Sequence, residues 1–324
     1  MSTLKVKKPL QQLLGRLKPD VIVLDNVVMF PAIANAGCPW VRMVSCAETE
    51  LPDAAVPPYL SGCSSADVAA RTRFIEHDQQ AVAPAHARFS RFLANSGSAP
   101  CPPGQFLVDS PWLNLLLSPS PVRYLRQQPL DPQRYVYLDG CVRREAPYIV
   151  PDFPRHNDAP LIYLSFGSLG AADTSMIKRL IGTIEHLPYR FLINVGAYRD
   201  EYATVPDNVY LDSWFAQPAV LRECQLFIHH GGNNSFCEAL YFGLPSVIIP
   251  YCWDGHDNAL RAEEVGVGRY LPRFAEPLAA LPEAIAQLLD DSAMAARLVE
   301  VSAAMQASRG TEIAARAILA LPTP

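Results

Sequence analysis

The sequence has no C-x-x-C pair. Its eight cysteines, Cys38, Cys46, Cys63, Cys101, Cys141, Cys224, Cys237 and Cys252, are scattered through 324 residues. Secreted disulfide frameworks are smaller and denser, so reduced, mostly buried thiols in a cytoplasmic protein are expected. No run reaches the ~18 apolar residues of a bilayer span. The basic opening MSTLKVKKPL lacks the apolar h-region of a signal peptide. Charge is sparse: 18% of residues are charged, the net charge is -5, and the 27 Lys and Arg are spread thinly. That argues against a nucleic-acid partner, which needs a concentrated basic surface. No G-x-G-x-x-G follows an apolar run, which disfavours an NAD dehydrogenase. Internal repeats and low-complexity tracts are missing too.

What is present suits a two-domain α/β protein. The length fits two domains and half of the residues are hydrophobic. The 30 prolines fall mostly between apolar runs. Pro9 suits a first helical turn, and Leu10, Leu13, Leu14 and Leu17 share a helix face. VIVLD (21–25) and WVRMVSC (40–46) read as strands around a short helix, the spacing of a βαβ unit. Residues 66–95 read as helix with a break at Pro84. QFLVDS, NLLLSP and YVYLDG suggest further strands. Residues 142–160, charged and with four prolines, read as the linker, dividing the chain into domains 1–150 and 151–324. After it come strands LIYLSF (161–166), RFLINV (190–195), NVYLDSW, LFIH (226–229) and SVIIP. Helices alternate with them, and two or three Ala-rich helices finish the chain. This alternation predicts parallel sheets covered on both faces.

The densest polar signal is FIHHGGNNSFCEALYFGLPSVIIP (227–250), where a strand passes through two histidines and two glycines into a helix. In parallel sheets ligands bind at the carboxyl ends of strands. Helix N-termini attract anions through unpaired N–H groups and the helix dipole. Gly231 and Gly232 let main chain approach a ligand, Asn234 and Ser235 offer short side chains, and His230 can donate to a phosphate oxygen. The same Ser235-x-x-Glu238 spacing is also a capping box. A zinc site is disfavoured, because adjacent His229 and His230 do not share a face. Trp214 could stack on a base or pack in the core. Gln217 could bond a ribose or fill a helix start. Asp254 could accept sugar hydroxyls or make a turn. SFGS (165–168) adds a second strand-to-glycine loop.

The ordered set W-x-x-Q, H-x-G-x-N-S-x-x-E and P-x-x-x-D followed by N-A resembles the donor-binding half of family 1 glycosyltransferases. These are the UDP-glycosyltransferase type with a GT-B fold, two Rossmann-like parallel-sheet domains facing a cleft. The likeness is strong over about residues 161–270. It implies that Trp214 stacks on the nucleobase and Gln217 helps hold the nucleoside. His230, Asn234, Ser235 and Gly232 main chain bind the diphosphate, with Ser168 nearby. Glu238 takes the ribose hydroxyls and Asp254 the transferred sugar. Ala216 stands where the family usually has Pro, and Asn233 where plant members carry Trp. Gly255 and His256 follow Asp254 where the family often has Gln, which leaves the sugar open.

The resemblance makes the first 150 residues the later part of an acceptor domain, with Asp25 as the carboxylate that orients the catalytic base. Its other reading is a strand-end residue opening an Asx turn with Asn26. The family's base histidine lies in an upstream glycine-rich loop, and none of this chain's seven histidines has that context. The acceptor domain is therefore expected to be incomplete, completed by a partner chain, or rebuilt, with VIVLD near an open sheet edge. The expected reaction is inverting transfer of a hexose from a UDP- or dTDP-sugar to a small or lipophilic acceptor hydroxyl. A neutral histidine would act as base, with no metal and no cofactor beyond the co-substrate. The alternatives are an inactive nucleotide-sugar-binding homologue and, less favoured, a nucleotide-sugar epimerase.

Overall fold

The computed structural model describes residues 2–273 and 277–322, with side chains from 6 to 273 and from 279 to 322. The first lobe comprises α1 (Ser2–Leu17), β1 (Ile22–Asp25), α2 (Pro31–Ala34), β2 (Trp40–Val44), α3 (Val68–Ala94), β3 (Leu113–Leu116) and β4 (Tyr135–Tyr137). Its strands pair in parallel in the order β1-β2-β3-β4. All four residues of β3 are buried, as a strand covered on both faces requires. One face packs Leu24, Ile33, Trp40, Phe89 and Leu93. β1 is an edge strand of the described sheet, and Val23 on it is 48% exposed.

Three local expectations change. QFLVDS forms no strand: Leu107 is buried and the Phe106 carbonyl accepts from the Met29 amide at 2.7 Å, so the run is core without a ladder. Pro84 does not break α3. Pro9 lies inside α1 rather than in its first turn, and only Leu10 and Leu14 of the leucine face are half-buried. A proline in either place forfeits one main-chain bond, and both are exposed.

Residues 142–160 contain no helix or strand. The second lobe runs β5 (Leu161–Ser165), α4 (Gly167–Gly170), α5 (Thr174–Ile184), β6 (Arg190–Asn194), β7 (Val209–Asp212), α6 (Gln217–Leu221), β8 (Leu226–His229), α7 (Asn233–Tyr241), β9 (Ser246–Ile248), α8 (Gly255–Glu264), β10 (Gly268–Tyr270), α9 (Pro277–Asp290), α10 (Ser292–Ala307) and α11 (Gly310–Leu319). Its six strands are all parallel, in the order β10-β9-β8-β5-β6-β7. Chain progression therefore runs outward in opposite directions from β5 and β8. That reversal is the point at which a parallel sheet opens a crevice at its carboxyl edge.

The last helix leaves this lobe. Ile313, Ala314, Ala317 and Ile318 of α11 pack against Val41, Leu113 and Leu115 of the first sheet. α11, within the 151–324 expected for the second domain, thus packs its apolar face on the first lobe. The return crossing touches the outgoing one. The Gly310 amide donates to the Asp139 carbonyl at 3.0 Å, and a side chain on Gly140 would lie 2.6 Å from the Ser308 carbonyl. Among the described residues no helix is long and apolar enough to cross a membrane, and all eight cysteines are free thiols.

Candidate functional site

β5 and β8 are paired so that Ser165 stands opposite His229, and both chains then turn on glycine. Gly167 has φ +65 and Gly231 φ +85, values that favour glycine. The His230 imidazole lies between the two loops. A side chain on Gly167 would come within 3.1 Å of His230 Cε1, and one on Gly232 within 2.5 Å of Nε2. SFGS and HHGG are thus two walls of one slot. His230 Nδ1 is buried with no hydrogen-bond partner. Burial lowers the imidazole pKa below its usual value, a hydrogen bond to the Ser165 main chain opposes the shift, and at neutral pH the ring is neutral.

α7 begins at Asn233, with Gly232 as its N-cap and no side-chain cap. Ser235 and Glu238 sit inside the helix, so the capping-box reading does not hold. Gln217, the first residue of α6, explains the pair instead. Its Nε2 donates to Glu238 Oε2 at 2.7 Å and to Ser235 Oγ at 3.4 Å. Three residues from two motifs thus converge, with Glu238 7% exposed. Burial raises the Glu238 pKa, and the Gln217 hydrogen bond opposes it. Trp214 is 64% exposed beyond the end of β7, while neighbouring Phe215 is core. Its flat ring is free to receive a base. Asn234 and Ser168 are also exposed at these loop mouths.

Asp254 stands immediately before α8, its side chain makes no capping bond, and it is 8% exposed. Burial pushes its carboxyl up to about 6, while the Asn233 amide of α7 opposes the rise. The two loops are pressed together. A side chain on Gly255 would lie 2.5 Å from the His230 carbonyl, and one on Gly231 2.5 Å from the Gly255 carbonyl. Gly255 therefore leaves no room for the glutamine that the family often places there.

Asp25 ends β1 and accepts a hydrogen bond from the Ser45 hydroxyl at 2.6 Å. The Asx turn beside it is made by Asn26, whose Oδ1 accepts the Val27 and Val28 amides. Asn233 Nδ2 donates to the Ser45 carbonyl at 3.1 Å, so the first lobe's strand ends meet the α7 loop. Sequence reading singled out Asn234 and passed over this buried neighbour. It also missed Cys46 and Tyr59, joined by a side-chain hydrogen bond in the same region. No spacing rule could have found these contacts, which depend on which loop of the other lobe lies opposite.

The arrangement is a cradle of helix amides, an imidazole and two glycine loops, with an exposed tryptophan at one side and a buried carboxylate at the other. Residues 179–320 match the family described as erythromycin biosynthesis protein CIII-like, C-terminal domain. An NDP-glycosyltransferase of Bacillus subtilis strain 168, YjiC, is 30% identical over 164 residues, 50% of this chain and 42% of the relative. The oleandomycin glycosyltransferase of Streptomyces antibioticus is 26% identical over 233 residues, 71% of this chain and 53% of the relative. The solved glycotransferase of kitacinnamycin superposes with a TM-score of 0.75 at 23% identity, over 99% of this chain and 81% of the other.

The second lobe carries that family's domain, and the chain is similar to family 1 glycosyltransferases.

Its two parallel-sheet lobes, of four and six strands, are the GT-B fold of that family. The chain spans about half the length of the curated relatives it matches. The family match, residues 179–320, includes α7, α8 and the loops before them, where the expected site residues from His230 to Asp254 lie.

Proposed function

We propose that this glycosyltransferase takes a hexose from a UDP- or dTDP-sugar and passes it, with inversion, to a hydroxyl of a small or lipophilic acceptor. One observation carries the reading. The His230 slot, the α7 N-terminus and the Gln217–Ser235–Glu238 cluster meet where the strand order reverses. The diphosphate would lie along the α7 amides and His230, where a developing negative charge is best stabilised. The base would stack on Trp214, the ribose would bond Glu238, and the sugar hydroxyls would bond Asp254. Ser168 and Asn234 would close over the phosphates. A single displacement at the anomeric carbon inverts its configuration and needs no metal or further cofactor. The relatives support the acceptor class, since they include an oleandomycin glycosyltransferase and an erythronolide mycarosyltransferase. A neighbour in fold, VinC, was solved with dTDP, which makes dTDP the first nucleotide to test.

The experiment is calorimetric titration of dTDP and UDP into the full chain, repeated with His230→Ala and Glu238→Ala. Binding that both substitutions weaken supports the reading. No binding, or equal binding by all three proteins, refutes it. A donor-binding homologue without transfer activity is the second reading. It is favoured by the partner of Asp25, which is the Ser45 hydroxyl rather than a histidine. Release of free sugar from dTDP-glucose above the buffer rate decides against it. A partner chain adding a strand at β1 belongs to the same proposal, and light scattering coupled to size-exclusion chromatography tests it.

A further inference from the structure

Helix α8 carries a polar stripe. Asp254, Asp257, Arg261 and Glu264 follow at spacings of three, four and three, which places them on one face. Asp254 belongs to the donor site, and the other three reach the first lobe. Asp257 is 2% exposed. One of its oxygens accepts the Thr49 hydroxyl at 2.6 Å and the Leu60 amide at 2.8 Å, and the other accepts the Gly62 amide at 2.8 Å. Glu264 accepts the Ser64 hydroxyl at 2.9 Å and the Ser65 amide at 2.6 Å. Arg261 donates to the Val122 carbonyl at 2.7 Å and the Arg123 carbonyl at 2.5 Å.

Asp257 makes the most demanding of these contacts. Its carboxylate is acceptor-only, and all three of its partners are donors, so the match is complete in one ionisation state. The main chain it holds is contorted: Leu60 has φ +66 and Gly62 φ +53. A non-glycine residue persists there only when its surroundings hold it. A side chain on Gly62 would lie 2.9 Å from His256 Cβ, so the loop rests directly on the first turn of α8. His256 lies two residues beyond Asp254 on that same turn. The loop is therefore packed on the helical turn that follows Asp254.

We propose that Asp257 is a positioning residue. It fixes loop 49–62 of the first lobe against the helical turn that carries Asp254, and so sets where an acceptor hydroxyl meets the donor sugar. This rests on the donor-site reading above. Because Asp254 and Asp257 share one turn, a sugar that engages Asp254 also tightens the loop.

The test uses the full chain and Asp257→Asn, which forces an amide N–H against one of three donors. Exchange of the Leu60 and Gly62 amides is followed by mass spectrometry, with and without dTDP-glucose, alongside calorimetry with dTDP. Exchange is expected to be about ten-fold faster or more in the variant, the scale of one lost charge-assisted hydrogen bond. In the wild-type chain dTDP-glucose slows both amides by about three-fold or more, a modest coupling between sites. The variant shows no such response, although its dTDP affinity stays within about two-fold of wild type. Thr49→Val moves the amides in the same direction and Thr49→Ser restores them, which a general loss of folding would not do. Unchanged exchange in Asp257→Asn overturns the inference. So does a loss of dTDP affinity in step with the loss of protection. A wild-type chain that binds neither dTDP nor UDP brings down the donor-site reading and this inference together. Normal dTDP binding with unaffected amides brings down only the role of Asp257.

Discussion

Gly232→Ala isolates the role of the His230 slot. Gly232 has φ -57 and ψ 142, a conformation open to alanine. The substitution therefore carries no backbone strain, and reduced freedom of the unfolded chain favours the alanine form by about 0.4–1 kcal/mol. The new methyl would lie 2.5 Å from His230 Nε2, far inside van der Waals contact, so the imidazole must swing out. A hydrogen bond from that ring to a phosphate is worth about 1.5–3 kcal/mol. Losing it weakens dTDP binding by roughly 10- to 150-fold, while thermal stability stays within about 1 kcal/mol of wild type. Calorimetry gives the affinity and differential scanning the stability. The decisive measurement is the double variant with His230→Ala. If the methyl acts through the imidazole, the double variant binds no worse than His230→Ala alone. Losses that add refute the slot and mean that the methyl blocks the phosphate directly. Wild-type affinity in Gly232→Ala refutes the involvement of His230 altogether.

Trp214→Ala should leave the urea midpoint almost unchanged, because the ring is already exposed, yet weaken dTDP binding by about 1–3 kcal/mol, the worth of one base stacked on an aromatic ring. Gln217→Leu leaves the buried Glu238 carboxylate without its donor. It should destabilise the protein by about 1–3 kcal/mol in urea titration and weaken nucleotide binding. The Asp254 carboxyl, pushed up to about 6 by burial, gives a pH signature. Its folded pKa is above its unfolded value, so it contributes stability below the ordinary carboxylate range and loses it as pH rises through about 6. Sugar recognition runs the other way, since the ionised form accepts hydroxyl bonds. The preference for dTDP-glucose over dTDP should therefore rise between about pH 5 and 7, and Asp254→Asn should flatten the rise and be no less stable than wild type at pH 8.

Much of this fold is legible in sequence because parallel strands buried on both faces are continuous apolar runs. LIYLS, RFLIN and LFIH could be nothing else between loops of glycine and proline. β10 escaped because its residues, Gly-Arg-Tyr, carry no such run; its place comes from pairing with β9. QFLVDS misled for the opposite reason, being apolar and buried yet unpaired. Within the site, the motif residues were singled out by their order along the chain, but the hydrogen bonds from Gln217 to Ser235 and Glu238 were not foreseen. The capping-box alternative failed because Gly232, not Ser235, is the N-cap of α7. Asn233 and Asp257 were invisible because their partners, Ser45 in one case and Thr49, Leu60 and Gly62 in the other, are distant in sequence and belong to the opposite lobe.

The chain crosses between the lobes twice, outward after Asp139 and back before Gly310, and the two passages touch. Two tethers meeting at one place act like the rivet of a pair of scissors: they leave a swing about a common point and resist separation or twist. Removing α11 from Gly310 onward would remove one blade's fastening and the apolar face of Ile313, Ala314, Ala317 and Ile318 that packs on Leu113 and Leu115.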